Sequence, residues 1–531
     1  MTLLFLILNI VGYAQQVFHV FPLNHYATPG TEFGNGSMQN PWDLQTAITQ
    51  LPSAVNGGDT IWLHEGVYDG KFICTLQSTN AEKFVTISAY KSDTVILNGN
   101  VASNNKAVLE VKGQRVIFKN LEITFLGNYS RHVKDKEFQR TDGINHTSGE
   151  DCQFINLKIH DNPGSGFGSW KFTGGTTIYG CEIYNNGFFS EVRGRGAGIY
   201  VQNISDKTRS IINNTIFNNY YMGIEVWSAG KNAKNSFVKN MLLQDNVVFN
   251  NGSAGNHFKN NLIIATDDRN GVNCASNISV INNVFYHNIN AAVNAKGDAG
   301  SVMLGRNKFS PLKNVTLKGN KIYGGNNALR IHVSDSLVFE DNVVYGGYVH
   351  LYKEAIHSMH TWKFNNNTYF SKNTRNFRII DHKDFTFDTW RFAFNIDSGS
   401  AWKNLKQFQS EQVLQVNRNK YDDSDFNVVL MNVQGLDVDV DFSSYNIKEG
   451  SDYKIVDIEN PNVVIKAGTL NSDAIVIFPM NMVHLERPKH NTFAQKTPSS
   501  FGVFRVKFNK DITTSNAPKT VFGRFFKWLG F

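Results

Sequence analysis

Ile211-Ile212-Asn213-Asn214-Thr215-Ile216-Phe217 returns in near copy as Val280-Ile281-Asn282-Asn283-Val284-Phe285-Tyr286 and as Phe339-Glu340-Asp341-Asn342-Val343-Val344-Tyr345. Each copy sets an apolar residue, two intervening residues, Asn, one further residue and two apolar or aromatic ones. The phrase recurs around Asn246, Asn320 and Asn367 and, degraded, around Leu157 and Cys181. From Leu157 to Asn367, successive copies lie 24, 33, 32, 37, 37, 22 and 25 residues apart. A floor near 22 residues predicts one coil of a parallel β-helix, with loops filling the longer intervals. Asparagine stacked on asparagine bonds its amide to the coils above and below, satisfying polar groups at a buried bend. The repeated asparagines are therefore assigned to the fold and given no chemistry.

A second strand opens each coil, at Gly143-Ile144-Asn145, Gly198 to Asn203, Gly223 to Trp227, Leu329 to Val333 and Val349 to Tyr352. Alternation turns Ile199, Val201, Ile224, Val226, Leu329, Ile331, Val349 and Leu351 inward. Tyr200, Gln202, Glu225, Trp227, Arg330, His332, His350 and Tyr352 are then the outward set.

Outside the repeat, Asn40-Pro41-Trp42-Asp43 opens a predicted helix with Leu44, Ala47, Ile48 and Leu51 on one face, suited to cap the open end of the stack. Strands near Thr60 to Leu63, Val85 to Ala89 and Val108 to Val111 begin the solenoid. The asparagine phrase stops after about residue 375, and a short helix is expected around Trp402 to Gln412. New strands at Phe426 to Val433, Leu436 to Phe442, Tyr453 to Val456, Ala474 to Phe478 and Phe501 to Phe508 predict a small β-sandwich. The division expected is a signal peptide at 1–14, the β-helix at 15–375, a connector at 376–415, the sandwich at 416–508 and a basic, apolar tail at 509–531. The signal peptide rests on the apolar run Leu3 to Val11 followed by Gly12-Tyr13-Ala14, although no basic residue precedes the run. It predicts export, and no later stretch approaches the roughly 20 apolar residues of a membrane-spanning helix.

The net charge of +7 (52 basic against 45 acidic residues) comes without a dense Lys/Arg stripe, which argues against nucleic acid and is compatible with an anionic polysaccharide. Cys74, Cys152, Cys181 and Cys274 have no ligand spacing, which argues against zinc and permits from zero to two disulfides.

Tyr26-Ala27-Thr28-Pro29-Gly30, Asn40 to Ala47 and Gly58-Asp59-Thr60-Ile61-Trp62-Leu63-His64-Glu65-Gly66-Val67-Tyr68 together resemble the N-terminal signature of bacterial right-handed β-helix proteins of the pectin-lyase-like superfamily. The resemblance covers roughly residues 20 to 375 and implies an all-β, right-handed parallel β-helix in a secreted, periplasmic or cell-surface protein. Gly194 to Asn203 resembles a mostly uncharacterised subgroup that carries His where this chain has Arg195 and Ala197. Members of the superfamily include polysaccharide lyases, hydrolases, epimerases and phage tailspikes, and the fold alone does not choose among them.

A lyase acting on a uronic acid must neutralise the carboxylate, remove the adjacent proton and protonate the leaving oxygen. The resemblance implies Arg or Lys as base, with Ca²⁺ a possible neutralising ion. Two outward clusters suit such work. Arg330 and His332 stand one strand from His350 and Tyr352; Arg193 and Arg195 gather with Tyr200, Gln202, Glu225 and Trp227. Of these, Arg195, Tyr200, Glu225, Arg330 and His332 are the catalytic candidates, and Arg193, Gln202, Trp227, His350 and Tyr352 the substrate-binding ones. The glycines before Tyr200 favour the second cluster, since glycine lets a substrate approach the backbone. A hydrolase needs two carboxylates some ~5 to 9.5 Å apart, and only Asp267 or Asp268 stands near enough in sequence to join Glu225. Asp437, Asp439 and Asp441 share one strand face, as Ca²⁺ ligands or, preferably, as charges that keep an edge strand from pairing. The expectation is a lyase cleaving an acidic polysaccharide by β-elimination; a glycoside hydrolase or a non-catalytic carbohydrate-binding surface protein stands as the alternative.

Overall fold

The computed structural model describes residues 15–288, 300–409 and 411–509. The expected signal peptide and all but the first residue of the expected tail lie outside the described residues. The chain divides into two compact units, one of residues up to 408 together with 487–495, the other of 409–486 with the residues from 496 onward. Among the described residues no helix is long and apolar enough to cross a membrane.

The first unit is a β-helix of three sheets, each of twelve strands. Pairing between coils is parallel and in register throughout the repeat: Ile178 lies beside Ile211, Ile211 beside Leu243, Leu243 beside Val280 and Val280 beside Leu317. The inward rows form one continuous apolar core, with Ile199, Ile224, Val226, Ile264, Leu304, Ile331 and Leu351 all buried.

The bends are held as the repeat requires. Asn214 Nδ2 donates to Asn246 Oδ1 at 2.9 Å, Asn246 to Asn283 at 2.8 Å, Asn283 to Asn320 at 3.0 Å, Asn320 to Asn342 at 3.0 Å and Asn342 to Asn367 at 3.2 Å. Each oxygen also accepts the backbone N–H of the coil before, as Asn246 Oδ1 does from Asn214. The residue ahead of the asparagine turns the chain with a positive φ, 55° at Asn213, 56° at Asp245 and 54° at Asn282, the conformation that Asn and Asp tolerate best. A second ladder, unforeseen in the sequence, runs from Asn162 through Asn186, Asn219 and Asn251 to Asn261.

Both ends of the solenoid depart from expectation. The N-terminal helix is a single turn, Leu44–Ala47, capped by Asp43. Leu44, Ala47 and Ile48 are buried but Leu51 is exposed, because Pro52 disfavours helical backbone at the residue before it. The helix caps the stack through Gln45, whose amide both donates to Ile73 O (2.9 Å) and accepts from Ile73 N (3.0 Å) and so stands in for a missing strand. At the other end the stack continues past residue 375: Phe377–Ile380 pairs with Val349–Tyr352, and Ala401–Asn404 with Thr368–Ser371. The helix lies at Phe387–Phe394, not at Trp402 to Gln412, where a strand and a short 3-10 turn stand instead. The phrase ends because the next letter in register is Ser400, whose hydroxyl oxygen accepts the Asn367 N–H at 2.8 Å. Asp397 takes the ladder's last amide, from Asn367 at 3.2 Å, with the Tyr369 hydroxyl, Trp390 Nε1 and the Ser400 hydroxyl.

In the second unit, a five-stranded antiparallel sheet runs in the order Val413–Asn419, Asp422–Met431, Phe501–Phe508, Asp452–Asp457, Val464–Thr469. A two-stranded sheet pairs Val438–Asp441 with Ile475–Phe478. One apolar cluster draws Phe426, Ile455 and Phe504 from the larger sheet and Val440 and Phe478 from the smaller. Asp437 accepts the Met480 N–H and Asp441 the Ser443 N–H, so these two aspartates bond to nearby backbone. The four cysteines are free and buried.

Candidate active site

The third sheet of the solenoid carries an outward row in which register places Gly168, Tyr200, Glu225, Ile263, Met303, Arg330, His350 and Arg378 side by side. Both candidate clusters therefore lie on one face, separated by the apolar pair Ile263 and Met303.

At the Tyr200 and Glu225 end the row is walled by a hairpin in which Phe188–Phe189 pairs antiparallel with Gly194–Arg195. This wall brings Arg193 and Arg195 over a cavity of about 430 Å³, also lined by Tyr200, Tyr221, Glu225 and Trp227, with Arg140 and Arg306 at its rim. Glu225 is the one carboxylate among the lining residues, facing four arginines. Burial pushes its carboxyl up to about 7, against the pull of Arg193. The Tyr200 phenol is raised to about 12 by burial and by Glu225 beside it. Gln202 is buried behind the wall of the cavity; its amide donates to the Tyr200 oxygen (3.0 Å) and to Trp227 O (3.1 Å), which leaves the phenolic proton to be donated elsewhere. Arg193 lies 3.9 Å from the Tyr221 ring centre, and its Nη1 is buried with no hydrogen-bond partner among the described residues. A buried guanidinium N–H without an acceptor is what an anionic ligand would satisfy.

The hairpin is braced from behind. Phe189 N donates to Arg131 O and Val133 N to Phe189 O. The buried Arg131 guanidinium reaches Gly187 O at 2.7 Å and Asp161 at 2.9 Å. Asp161 in turn accepts Lys489 N at 2.7 Å, which ties the returning segment 487–495 to the same point. Burial works to lower His160, but the carboxylates of Asp161 and Glu122 lift it to about 9.

The glycines ahead of Tyr200 have a different use from the one expected. A Cβ on Gly194 would lie 2.2 Å from Tyr220 O and 2.8 Å from Gly255 Cα, so the missing side chain makes room for the chain itself and not for a substrate.

The second cluster is differently equipped. His332 stacks on Tyr352 with ring centres 3.4 Å apart. Burial, then Arg306 and Arg330, lower His332 to about 3, and burial, then Arg330 and Arg378, lower His350 to about 4. Both are neutral near pH 7, and Arg378 is engaged by Asp384 at 2.8 Å. His332 and Tyr352 line a smaller cavity of about 240 Å³ that shares Arg306 with the first; Arg330 and His350 line neither. Asp267 pairs with Arg269 at 2.7 Å, and Asp268 accepts the N–H groups of Ala233, Val272 and Asn273. Neither aspartate lines the cavity of Glu225, so a second acid is not supplied there.

Sequence reading missed Arg140, Tyr221 and Arg306, which lie in loops outside the strand alternation; Arg306 follows Gly305 directly after a strand, the one local cue. The donor set does not suit Ca²⁺, which takes six to eight oxygens, typically several carboxylates. One near-neutral carboxyl among guanidinium groups offers the opposite charge balance. Among the described residues no three His, Cys, Asp or Glu side chains gather as a metal site.

Residues 69–263 match the family model described as "Right handed beta helix region". No curated protein matches the chain. Among solved structures it is similar to the pectate lyase Pel9A, at 14% identity over 76% of this chain and 84% of that one, with a TM-score of 0.43. It is also similar to an alginate lyase from Paenibacillus sp. str. FPU-7, at 14% identity over 67% of this chain and 95% of that one, with a TM-score of 0.35. The A-module of the mannuronan C-5 epimerase AlgE4 of Azotobacter vinelandii matches at 12% identity over 73% of this chain and 98% of that one, with a TM-score of 0.39. The chain is a right-handed parallel β-helix protein.

Proposed function

We propose that the protein acts on an acidic polysaccharide outside the cytoplasm, cleaving it by β-elimination in the cavity of Glu225. The observation that carries this reading is a buried carboxyl tuned to about 7 beside Arg193, whose Nη1 has no acceptor among the described residues. A general base is most effective when its pKa lies near the working pH. A uronate carboxylate placed against Arg193 and Arg306 has its charge neutralised, which acidifies the adjacent C–H. Ionised Glu225 takes that proton. The electron pair forms the new C=C bond, the C–O bond at the neighbouring carbon breaks, and Tyr200 donates its proton to the leaving oxygen. A guanidinium stays protonated in proteins, so Arg195, the base implied by resemblance, serves better as a further anion contact.

Retaining or inverting hydrolysis calls for a second carboxyl, and the lining residues hold one. Non-catalytic binding would use Trp227 and Tyr221 as platforms but has no need of a carboxyl held at its titration point.

The test is incubation with acidic and neutral polysaccharides, with Ca²⁺ or with chelator, following ultraviolet absorbance of unsaturated uronates and reducing ends in parallel. Absorbance that appears without Ca²⁺ and vanishes in Arg193→Ala supports elimination. Reducing ends alone would favour hydrolysis, and binding with silence in both channels would favour the non-catalytic protein.

A further inference from the structure

The strand Asp452–Asp457 alternates, turning Tyr453 and Ile455 into the apolar core of the second unit. Asp457 continues that inward row, buried and in register with Phe504. Two residues on, Glu459 is buried as well. Into this water-poor corner comes Lys496, its Nζ 2.9 Å from Asp457 Oδ2 and 2.5 Å from Glu459 Oε2.

The two carboxyls are held differently. Glu459 is fixed by hydrogen bonds from the Thr497 N–H and hydroxyl as well as from Lys496. Asp457 Oδ1 accepts the Glu459 N–H at 3.1 Å, while its Oδ2 faces Lys496 Nζ alone, 2.9 Å away. An amine held this close to a buried carboxyl, with a second buried acid beside it, has the proximity that condensation requires.

We propose that Lys496 and Asp457 form a covalent modification site, an intramolecular amide joining Lys496 Nζ to Asp457 Cγ with Glu459 as proton carrier. The amine and the carboxyl condense with loss of one water, and no oxidant, cofactor or activated donor is required. At rest the two carboxyls favour the ammonium form of Lys496. Transfer of one proton to Asp457 gives the neutral amine and neutral acid, a pair that a low-dielectric site tolerates better than separated charges. The Nζ lone pair forms the N–C bond, the Cγ–Oδ2 bond breaks, and oxygen leaves as water. Glu459, whose burial favours its protonated form, gives the leaving oxygen its proton and takes one from nitrogen, so it ends as it began. Fixed proximity supplies the rate, and exclusion of water opposes the reverse reaction. The bond would close the chain between residues 457 and 496, a covalent loop of the kind that limits unfolding.

Peptide mapping of the denatured full chain decides it. The expected result is a branched peptide joining the Asp457 and Lys496 segments, lighter than their sum by one water. Glu459→Gln should give the two linear peptides from a protein that still unfolds cooperatively, at lower temperature. Linear peptides with intact Lys496 and Asp457 in the wild type would overturn the proposal whether or not any variant folds. A branch borne by Glu459, or one that persists in Glu459→Gln, would overturn the assigned roles.

Discussion

Within the same coils, the asparagine bend and the outward row of the third sheet handle buried polar groups in opposite ways. At the bend, Asn246 gives its amide to Asn283 and receives the N–H groups of Asn214, so each polar group is answered by its copy one coil away. Beside it on the outward row, Glu225 has no copy: its neighbours in register are Tyr200 and Ile263, and burial leaves its carboxyl near neutral pH. Repetition resolves the cost of burial in one place, and its absence keeps that cost available for chemistry in the other.

The largest effect that would separate the two regions is on turnover. Glu225→Gln keeps the shape and removes the titrating group, and should lower the elimination rate about 10² to 10⁴-fold, the usual worth of a general base. The fold should be unchanged, as read by circular dichroism. Retained activity would mean that Glu225 is a buried spectator like the asparagines.

Next comes stability against pH. A folded-state value of about 7 against the ordinary 4.5 means that Glu225 is protonated in both states below pH 4.5 and costs nothing there. As pH rises through 4.5 to 7, only the unfolded state sheds its proton freely, so stability falls, by about 3 kcal/mol once above pH 7. Denaturant titrations at pH 4, 6 and 8 should show this decline in the wild type and a shallower one in Glu225→Gln. Identical slopes would place the carboxyl in water.

Asn246→Ala should do the reverse of Glu225→Gln. It strands two buried donors of Asn214 and should cost about 2 to 3 kcal/mol of stability, while the pH dependence of turnover stays as in the wild type.

This contrast also explains what could be read in advance. The bend was legible because Asn214, Asn246, Asn283, Asn320, Asn342 and Asn367 write one physical requirement six times. The inward and outward faces followed from alternation, and with them the row holding Tyr200 and Glu225. Ser400 and Asp397 were not legible, since they divide the same requirement between two different letters. Nor were Arg140, Tyr221 and Arg306: their place at the cavity is set by where loops fold back, and neither period two nor the coil repeat constrains a loop. The glycines before Tyr200 misled, because a glycine shows only that something comes close; here it is the Tyr220 carbonyl.

The smallest effect tests whether the outward row is one site or two. Arg330 shares the row with Glu225 but stands beyond Ile263 and Met303 and lines neither cavity, whereas Arg193 faces Glu225 directly. Arg193→Ala should therefore lower kcat and kcat/KM together, the mark of a contact made as the carboxylate gains charge, while Arg330→Ala should raise KM by less than about tenfold and leave kcat alone. With short oligosaccharides as substrate the Arg330 effect should vanish, because a chain that ends at Ile263 never reaches it. If Arg330→Ala instead costs turnover on the shortest substrate, the apolar pair is no boundary, and the neutral histidines around Arg330 belong to the chemistry after all.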